Sequence, residues 1–459
     1  MSDDVDTESQ VRLGSVGQYG SLQNIDISET GVVKLMNLIT DTSSLNNDDD
    51  ETEIVEWLKG YDSNYCRESK HYQSYESTIM RHCVFKVLER DFNMPHSAWF
   101  EIGNKGGVVE KPPLFETKEV ERGIQHSIPR KVVYFLERKS DKTRWAVRIF
   151  CWDDDDCEVV IHTTQGHDEV QQQWDSFEKY FIEHGPLKGE CFTPAWKWVE
   201  LNNYTWDDVI LGKAVKDDID LNLVDFINNI ESFKEYDLPT NRGILFAGEP
   251  GTGKTLTIDV LLSQFPNVTR IYATADTICG RSHVKNMYDL ARKLSPTIIV
   301  IEDIDTIASS DEDYERSPLV GEILTALNGA ENNSGVITIA TTNYPDSLDV
   351  ALRDRPGRFD SRIDFEVPDI LGRDNILAKY ISKFSKIDKI NVKKLAKDTS
   401  RFTGAWLREL VVLAFTLSLR GKGKVDNTTL EKALDRVKVL RKKTNRQRQN
   451  NEQNEDLFG

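Results

Sequence analysis

The sequence predicts an α/β protein: a doubly wound parallel-sheet domain around a phosphate-binding loop, followed by an all-α unit and preceded by a separate α+β domain. Three observations predict it. "GEPGTGKT" at 248–255 has the G-x-x-x-x-G-K-[ST] form; apolar runs alternate with helical spacing from there to Pro368; and the chain before Phe192 sets strand-like alternation between two helix-like segments.

Taken in order, residues 1–64 are rich in Asp, Ser, Thr and Asn, with "NNDDDETE" at 47–54, and read as a largely disordered acidic leader in which "TGVVKLMNLI" forms at most one short helix. Residues 65–192 read as the α+β domain. "STIMRHCVFKVLERDF" and "DEVQQQWDSFEKYFIEHG" have helical spacing, and "RKVVYFLERK", "RWAVRIFCW" and "CEVVIHTT" alternate like strands. Asp153 to Asp156 fit an acidic turn better than a metal loop, and His162 and His167, without a Cys or His partner at metal spacing, read as surface or satisfied histidines. Trp145, Trp152 and Trp174 are expected in the core. Residues 193–212 bridge to the α/β domain at 213–369; 370–445 are helical, and 446–459 read as a disordered tail.

Composition narrows the classes. A net charge of −18 excludes a surface devoted to a nucleic-acid backbone, though it leaves room for a local basic patch. No apolar run approaches the roughly 20 residues that span a bilayer, and the acidic "MSDDVDTESQ" is unlike a targeting peptide, so no membrane contact and a cytoplasmic location are expected. Six cysteines (Cys66, Cys83, Cys151, Cys157, Cys191, Cys279) form no C-x-x-C pair, so thiols are expected rather than a zinc knuckle or a disulfide framework.

The candidate chemistry starts at the loop. Gly248, Gly251 and Gly253 let successive N–H groups turn toward phosphate oxygens; Lys254 brings charge to the β and γ phosphates and Thr255 a hydroxyl to Mg²⁺, so Glu249, Pro250, Gly251, Thr252, Gly253, Lys254, Thr255 and Leu256 form the cradle. "TIIVIEDID" (Thr297 to Asp305) is an apolar strand ending in acids. Glu302 would hold Mg²⁺, partly through water, and Asp303 would orient or deprotonate an attacking water. Asn343, ending "VITIATTN", would reach the γ phosphate or that water. Arg355 and Arg358, beside the Pro-Gly turn of "RDRPGRFD", fit guanidinium groups acting on phosphate from a neighbouring subunit.

In this order, and with "FTGAWLREL" (Phe402 to Leu410) and "YTWDDV" (204–209), the motifs resemble those of the AAA family of ATPases in the AAA+ superfamily, over roughly Trp206 to Lys443. The resemblance implies the P-loop AAA+ fold with a helical lid, ATP and Mg²⁺ as cofactors, Gly404 and Ala405 of the lid and Asp208 near the nucleotide, and a homo-oligomeric ring, most often a hexamer. In motif style it is similar to the mitochondrial Rieske-protein translocase family, which shares the Glu302-Asp303 order, but no membrane anchor precedes the ATPase part. Departures are that Glu-Asp order, an extra residue in "ALRDRPGRFD" that leaves Arg353, Arg355 and Arg358 as alternative fingers, and a pore stretch "ATADTICGRS" (Ala273 to Ser282) without an aromatic. The sequence also holds no H-E-x-x-H. The expected function is an ATP-hydrolysing ring that remodels or disassembles a protein client or complex, with the N-terminal domain binding the client or adaptor. Two alternatives stand beside it: a DNA-transaction motor or loader, drawing on the basic stretch Lys432 to Arg448 and the "NEDLFG" tail, and a nucleotide-gated scaffold with little turnover.

Overall fold

The computed structural model describes residues 51–59, 64–102, 108–153, 156–278, 281–309, 318–328, 333–344, 359–384, 390–420 and 424–458. The segment "TGVVKLMNLI", Cys279, Arg353, Arg355 and Arg358 lie outside them.

The N-terminal part is an antiparallel seven-stranded sheet in the order β1-β7-β6-β5-β2-β3, with β4 also on β5. Its strands are β1 (Cys66–Gln73), β2 (Phe92–Ile102), β3 (Val108–Lys111), β4 (Leu114–Glu121), β5 (Ile124–Arg138), β6 (Arg144–Cys151) and β7 (Asp156–Thr163). Both faces of its centre are covered, so β6 and β7, expected to alternate, are instead buried along almost their whole length. Helices Ser74–Asp91 and His167–His184 bury Val84, Leu88, Trp174 and Phe177 against Trp145, Val147 and Ile149 on one face.

Helix Glu51–Leu58 covers the other face, packing Ile54 and Leu58 on Phe135 and Ala146, and Trp57 Nε1 donates to the Trp145 carbonyl at 3.0 Å. This corrects the expectation of a disordered leader up to residue 64. Ile54, Trp57 and Leu58 make one apolar stripe, and the surrounding Asp and Glu residues mask it in the composition. Trp152 is a second correction: it is 47% exposed and stacks on His71 at 5.7 Å. Trp145 and Trp174 are buried.

The second sheet is parallel throughout, in the order β13-β9-β12-β11-β10-β8. It comprises β8 (Cys191–Phe192), β9 (Arg242–Ala247), β10 (Thr269–Ala273), β11 (Thr297–Ile301), β12 (Val336–Thr342) and β13 (Ser361–Asp364). The two residues of β8, placed in the α+β domain by the sequence reading, pair with β10 instead (Cys191 opposite Arg270). Two residues carry no periodicity, so only the pairing reveals the strand. Because β9 lies between β12 and β13 while β10 starts on the far side, the carboxyl ends of β9, β12 and β11 open on one crevice, the place where such sheets bind ligands.

Helices Ile370–Ser382, Val392–Asp398, Gly404–Leu419 and Asn427–Phe458 enclose a core of their own around Leu377, Leu407, Leu410 and Val437. The last helix runs to Phe458 through residues expected as a disordered tail: Gln and Glu, which made that stretch look unstructured, are good helix formers. No helix among the described residues is long and apolar enough to cross a membrane.

Candidate nucleotide site

β9 is buried from Gly243 to Ala247, and the chain then turns through Gly248, Gly251 and Gly253 at φ 153°, 79° and 111° before the helix Lys254–Gln264 begins. Two of these glycines are required. A Cβ at Gly248 would stand 2.3 Å from the Phe365 carbonyl oxygen, and one at Gly251 would stand 2.5 Å from Ala405 Cβ. The loop therefore closes tightly against both β13's exit and the lid, and the helix N-terminus, with its unpaired N–H groups and partial positive charge, opens beside it.

Lys254 is 6% exposed, and its Nζ donates to the carbonyls of Gly248 (2.6 Å) and Glu249 (3.3 Å) and to Asn343 Oδ1 (2.9 Å). Burial pulls its pKa below the ordinary lysine value, opposed by the nearby carboxylates of Asp303, Asp305 and Glu302. From the end of β12, Asn343 continues the chain of contacts: its Nδ2 donates to Asp303 Oδ1 at 2.8 Å, and its backbone N–H donates to Asp305 Oδ1 at 3.2 Å. From the end of β11, Glu302 Oε1 accepts the Thr255 hydroxyl at 2.7 Å. The arrangement brings Lys254, Thr255, Glu302, Asp303 and Asn343 together from three strand ends.

Asp303 sits at φ 48°, a left-handed conformation that Asp tolerates better than most residues, and its backbone N–H is held by Thr341 Oγ1 at 2.8 Å. Burial, then Asp305 and Glu302, push its carboxyl above the usual range, while Lys254 and Asn343 pull the other way. A carboxylate that is partly desolvated and oriented by an amide is well placed to take a proton from water.

The lid meets the loop directly. The N–H of Ala405 donates to the Gly251 carbonyl at 3.1 Å, so Gly404 and Ala405 touch the cradle. A cavity of about 210 Å³ lies between Glu249, Pro250 and Gly251 on one side and Thr403, Trp406 and Arg441 on the other. Asp208 stands further out, where Oδ2 accepts from Thr205 N (3.0 Å) and Oδ1 from Lys379 Nζ (2.9 Å). The Thr205 N–H, then Lys379, hold its carboxyl below the usual range. Thr252 Oγ1 caps the turn by donating to the Glu249 carbonyl at 2.8 Å, and Leu256 is half-buried in the first turn of the helix.

Four neighbours escaped the sequence reading. Asp305 and Thr341 stood inside "EDID" and "ATTN" and were open to the same strand-end argument; Lys379 and Arg441 come from the lid, where no local pattern marks Lys379 and Arg441 was read only as part of the basic stretch Lys432 to Arg448.

Residues 244–367 match the family model described as "ATPase family associated with various cellular activities (AAA)". Over 248 residues, 51% of this chain, the sequence is 34% identical to a protein named ATP-dependent zinc metalloprotease FtsH from Akkermansia muciniphila, covering 30% of that protein. It is 33% identical over 247 residues, 52% of this chain, to ATP-dependent zinc metalloprotease FTSH 11, chloroplastic/mitochondrial, from Arabidopsis thaliana, covering 30% of it. A third relative, ATP-dependent zinc metalloprotease FtsH 2 from Thermoanaerobacter sp., is 32% identical over 253 residues, 53% of this chain and 49% of the relative. The chain thus spans less than half the length of these relatives, and the likeness to the Rieske-protein translocases rests on motif style alone.

Proposed function

From the premise that this chain carries an ATPase domain of the AAA family, we propose that it hydrolyses ATP with Mg²⁺ in a homo-oligomeric ring, and that the turnover remodels or disassembles a protein client or complex bound by the N-terminal domain. One observation carries the reading: the linked contacts Lys254–Asn343–Asp303 and Thr255–Glu302, which gather phosphate, metal and water ligands from three strand ends.

The residues present fit ATP and Mg²⁺. The cradle admits no Cβ at Gly248 or Gly251, its lysine is a buried cation held only by oxygens, and Thr255 and Glu302 are a hard-oxygen pair suited to Mg²⁺. Thr255 and Glu302 would hold Mg²⁺, which would supply charge neutralisation at the phosphates. The chain's own groups do the remainder: Lys254 turns from the loop carbonyls to phosphate, Asp303 takes the proton of the attacking water, and Asn343 fixes the Asp303 carboxylate through its 2.8 Å bond. Arg355 or Arg358 of one subunit acts on the site of the next.

The output side supports remodelling without a gripping pore loop. After Ala273 the chain forms a short 3₁₀ turn, Ala275–Thr277, and Ile278 is buried in the apolar cluster that also holds Phe181 and Leu187. Ile278 thus ties the described part of this stretch to the apolar core shared with the N-terminal domain. The relatives are named as zinc metalloproteases, and these 459 residues hold no H-E-x-x-H.

The test is ATPase rate per subunit against protein concentration, with light scattering for mass. The rate should rise with assembly. Lys254→Ala should lose ATP binding, Asp303→Asn should bind ATP with turnover lowered by at least ~10²-fold, and Arg358→Ala should bind ATP and lose ~10³-fold of the assembled rate. A rate indifferent to concentration, or absent, would instead mean a nucleotide-gated scaffold. DNA binding that falls steeply with salt and disappears on truncation at Leu440 would mean a DNA-transaction motor.

A further inference from the structure

We propose that His82, Glu121 and His126 form a site for a divalent transition-metal ion, best suited to Zn²⁺, tying the helix Ser74–Asp91 to the β4–β5 hairpin. The ligand atoms of all three residues lie within 4.8 Å of one another. They come from separate elements: His82 from the helix, Glu121 from the end of β4, and His126 from the start of β5, across a turn in which Gly123 has φ 72°.

The two imidazoles are in edge-to-face contact, 4.6 Å between centroids at 66°. His82 is 6% exposed. His126 Nε2 lies 3.2 Å from Glu121 Oε1, and that nitrogen is buried and makes no hydrogen bond. A desolvated ring nitrogen with no hydrogen-bond partner is an unusual expense in a protein interior, and a metal ion would satisfy it. Burial, with His126 and Lys86 nearby, holds His82 down to about 4, so at neutral pH it presents a lone pair rather than a proton.

The donor set selects the ion. Two imidazoles and a carboxylate suit Zn²⁺, which takes such ligands at about 2.0–2.2 Å and so draws them to roughly 3.3 Å apart. Glu121, whose side chain is 46% exposed, is the member of the set with the most room to move toward an ion. The other cluster of this kind among the described residues, Cys66, Glu68 and His167, is the weaker candidate: His167 is 71% exposed and already ion-paired with Glu68.

The experiment uses the full chain, stripped of metal and held in excess Mg²⁺ so that the acidic strand ends at the nucleotide site are occupied. Zn²⁺ is titrated against a chromophoric chelator, and Co²⁺ is added as a spectroscopic probe. Wild type should take one tight equivalent of Zn²⁺. His82→Phe, Glu121→Gln and His126→Gln should each weaken it by ~100-fold or more, at least the upper end of what losing an outer-shell partner does. The Co²⁺ complex should show tetrahedral d–d bands without a thiolate charge-transfer band. Zn²⁺ should raise the melting temperature of wild type and leave that of His126→Gln unmoved, while the two metal-free proteins melt alike, which separates loss of the site from misfolding. No Zn²⁺ uptake, uptake unchanged in the three variants, or a thiolate band that disappears in Cys66→Ser would each overturn the proposal.

Discussion

The sheet that carries the nucleotide site has two neighbours and is joined to them in opposite ways. On the N-terminal side the join is apolar and continuous: Trp174, Phe177, Phe181 and Leu187 belong to the same cluster as Ile278, Met287 and Tyr288. Polar contacts reinforce it, Lys293 to Glu178 at 2.6 Å and Lys188 to the Ser295 carbonyl at 3.3 Å. On the lid side the apolar core is closed on itself, with Ile210 packed at its edge, and the join is mainly hydrogen bonds: Ala405 to Gly251, Lys379 to Asp208, and Arg373 Nη1 to the Pro368 carbonyl at 2.8 Å. Separating a shared core exposes a large apolar area, whereas a few polar contacts exchange for water at about 1 kcal/mol each. The difference teaches which neighbour can follow the nucleotide: the lid re-docks at the loop, and the N-terminal domain is carried with the sheet.

The sharpest way to break this comparison is Phe181→Ala. Phe181 is 4% exposed and stacks on Trp196 at 5.7 Å, so its truncation should destabilise by ~3–5 kcal/mol. If the join is continuous, hydrogen exchange in β6 and in β9 should accelerate together. Leu410→Ala, of ~2–5 kcal/mol inside the lid core, should accelerate exchange in the lid helices alone. Separate responses of β6 and β9 to Phe181→Ala would refute the shared joint.

Acid supplies a second, smaller probe. Burial, then Arg148 and Arg67, push His162 from an ordinary 6.5 down to about 3, and its Nδ1 is hydrogen-bonded to Tyr65 Oη at 3.0 Å. His82 is depressed to about 4. In both, the folded state binds fewer protons than the unfolded chain between those values and 6.5, so stability is full above about 6.5 and declines as pH falls toward 3–4. The loss should be of the order of a few kcal/mol in the N-terminal sheet, shared by the nucleotide sheet and not by the lid. Urea midpoints from pH 7 to 4.5, in chelator, should fall less steeply in His162→Gln than in wild type. An equal slope would remove His162 as the cause.

Where function depends on short local chemistry, the residues were legible. Glycines, lysine and threonine in one loop, and acids or amides at the ends of apolar runs, name themselves, and the parallel sheet then brings Lys254, Asn343 and Asp303 together. What stayed hidden depends on partners distant in the chain. The stripe in Glu51–Leu58 has meaning only against Phe135 and Ala146, β8 is set by its pairing with β10, and Lys379 by Asp207 and Asp208, the latter 171 residues away. His82 and His126 looked unremarkable for the same reason: neither has a ligand at motif spacing, and the β4–β5 hairpin supplies one.

The least disruptive test concerns that distant pair. Lys379 and Asp208 are 24% and 36% exposed, so water screens their attraction and Lys379→Met should leave the melting temperature almost unchanged. The depressed pKa of Asp208 means that its charged form, and hence the contact, is complete above the usual carboxylate range and is lost only as pH falls through that lowered value. At neutral pH the latch is therefore whole, and its removal should show in nucleotide binding rather than folding, as a roughly two- to fivefold weaker affinity for ATP. Raising the salt should bring wild type down toward the variant, because the latch is ionic and the Ala405–Gly251 bond is not. A loss of ~100-fold would mean that the lid is bound to the sheet as tightly as the N-terminal domain is, and the contrast between the two joints would fail. An unchanged affinity would assign lid docking to the Ala405–Gly251 and Arg373–Pro368 contacts, and the contrast would then rest on those two hydrogen bonds.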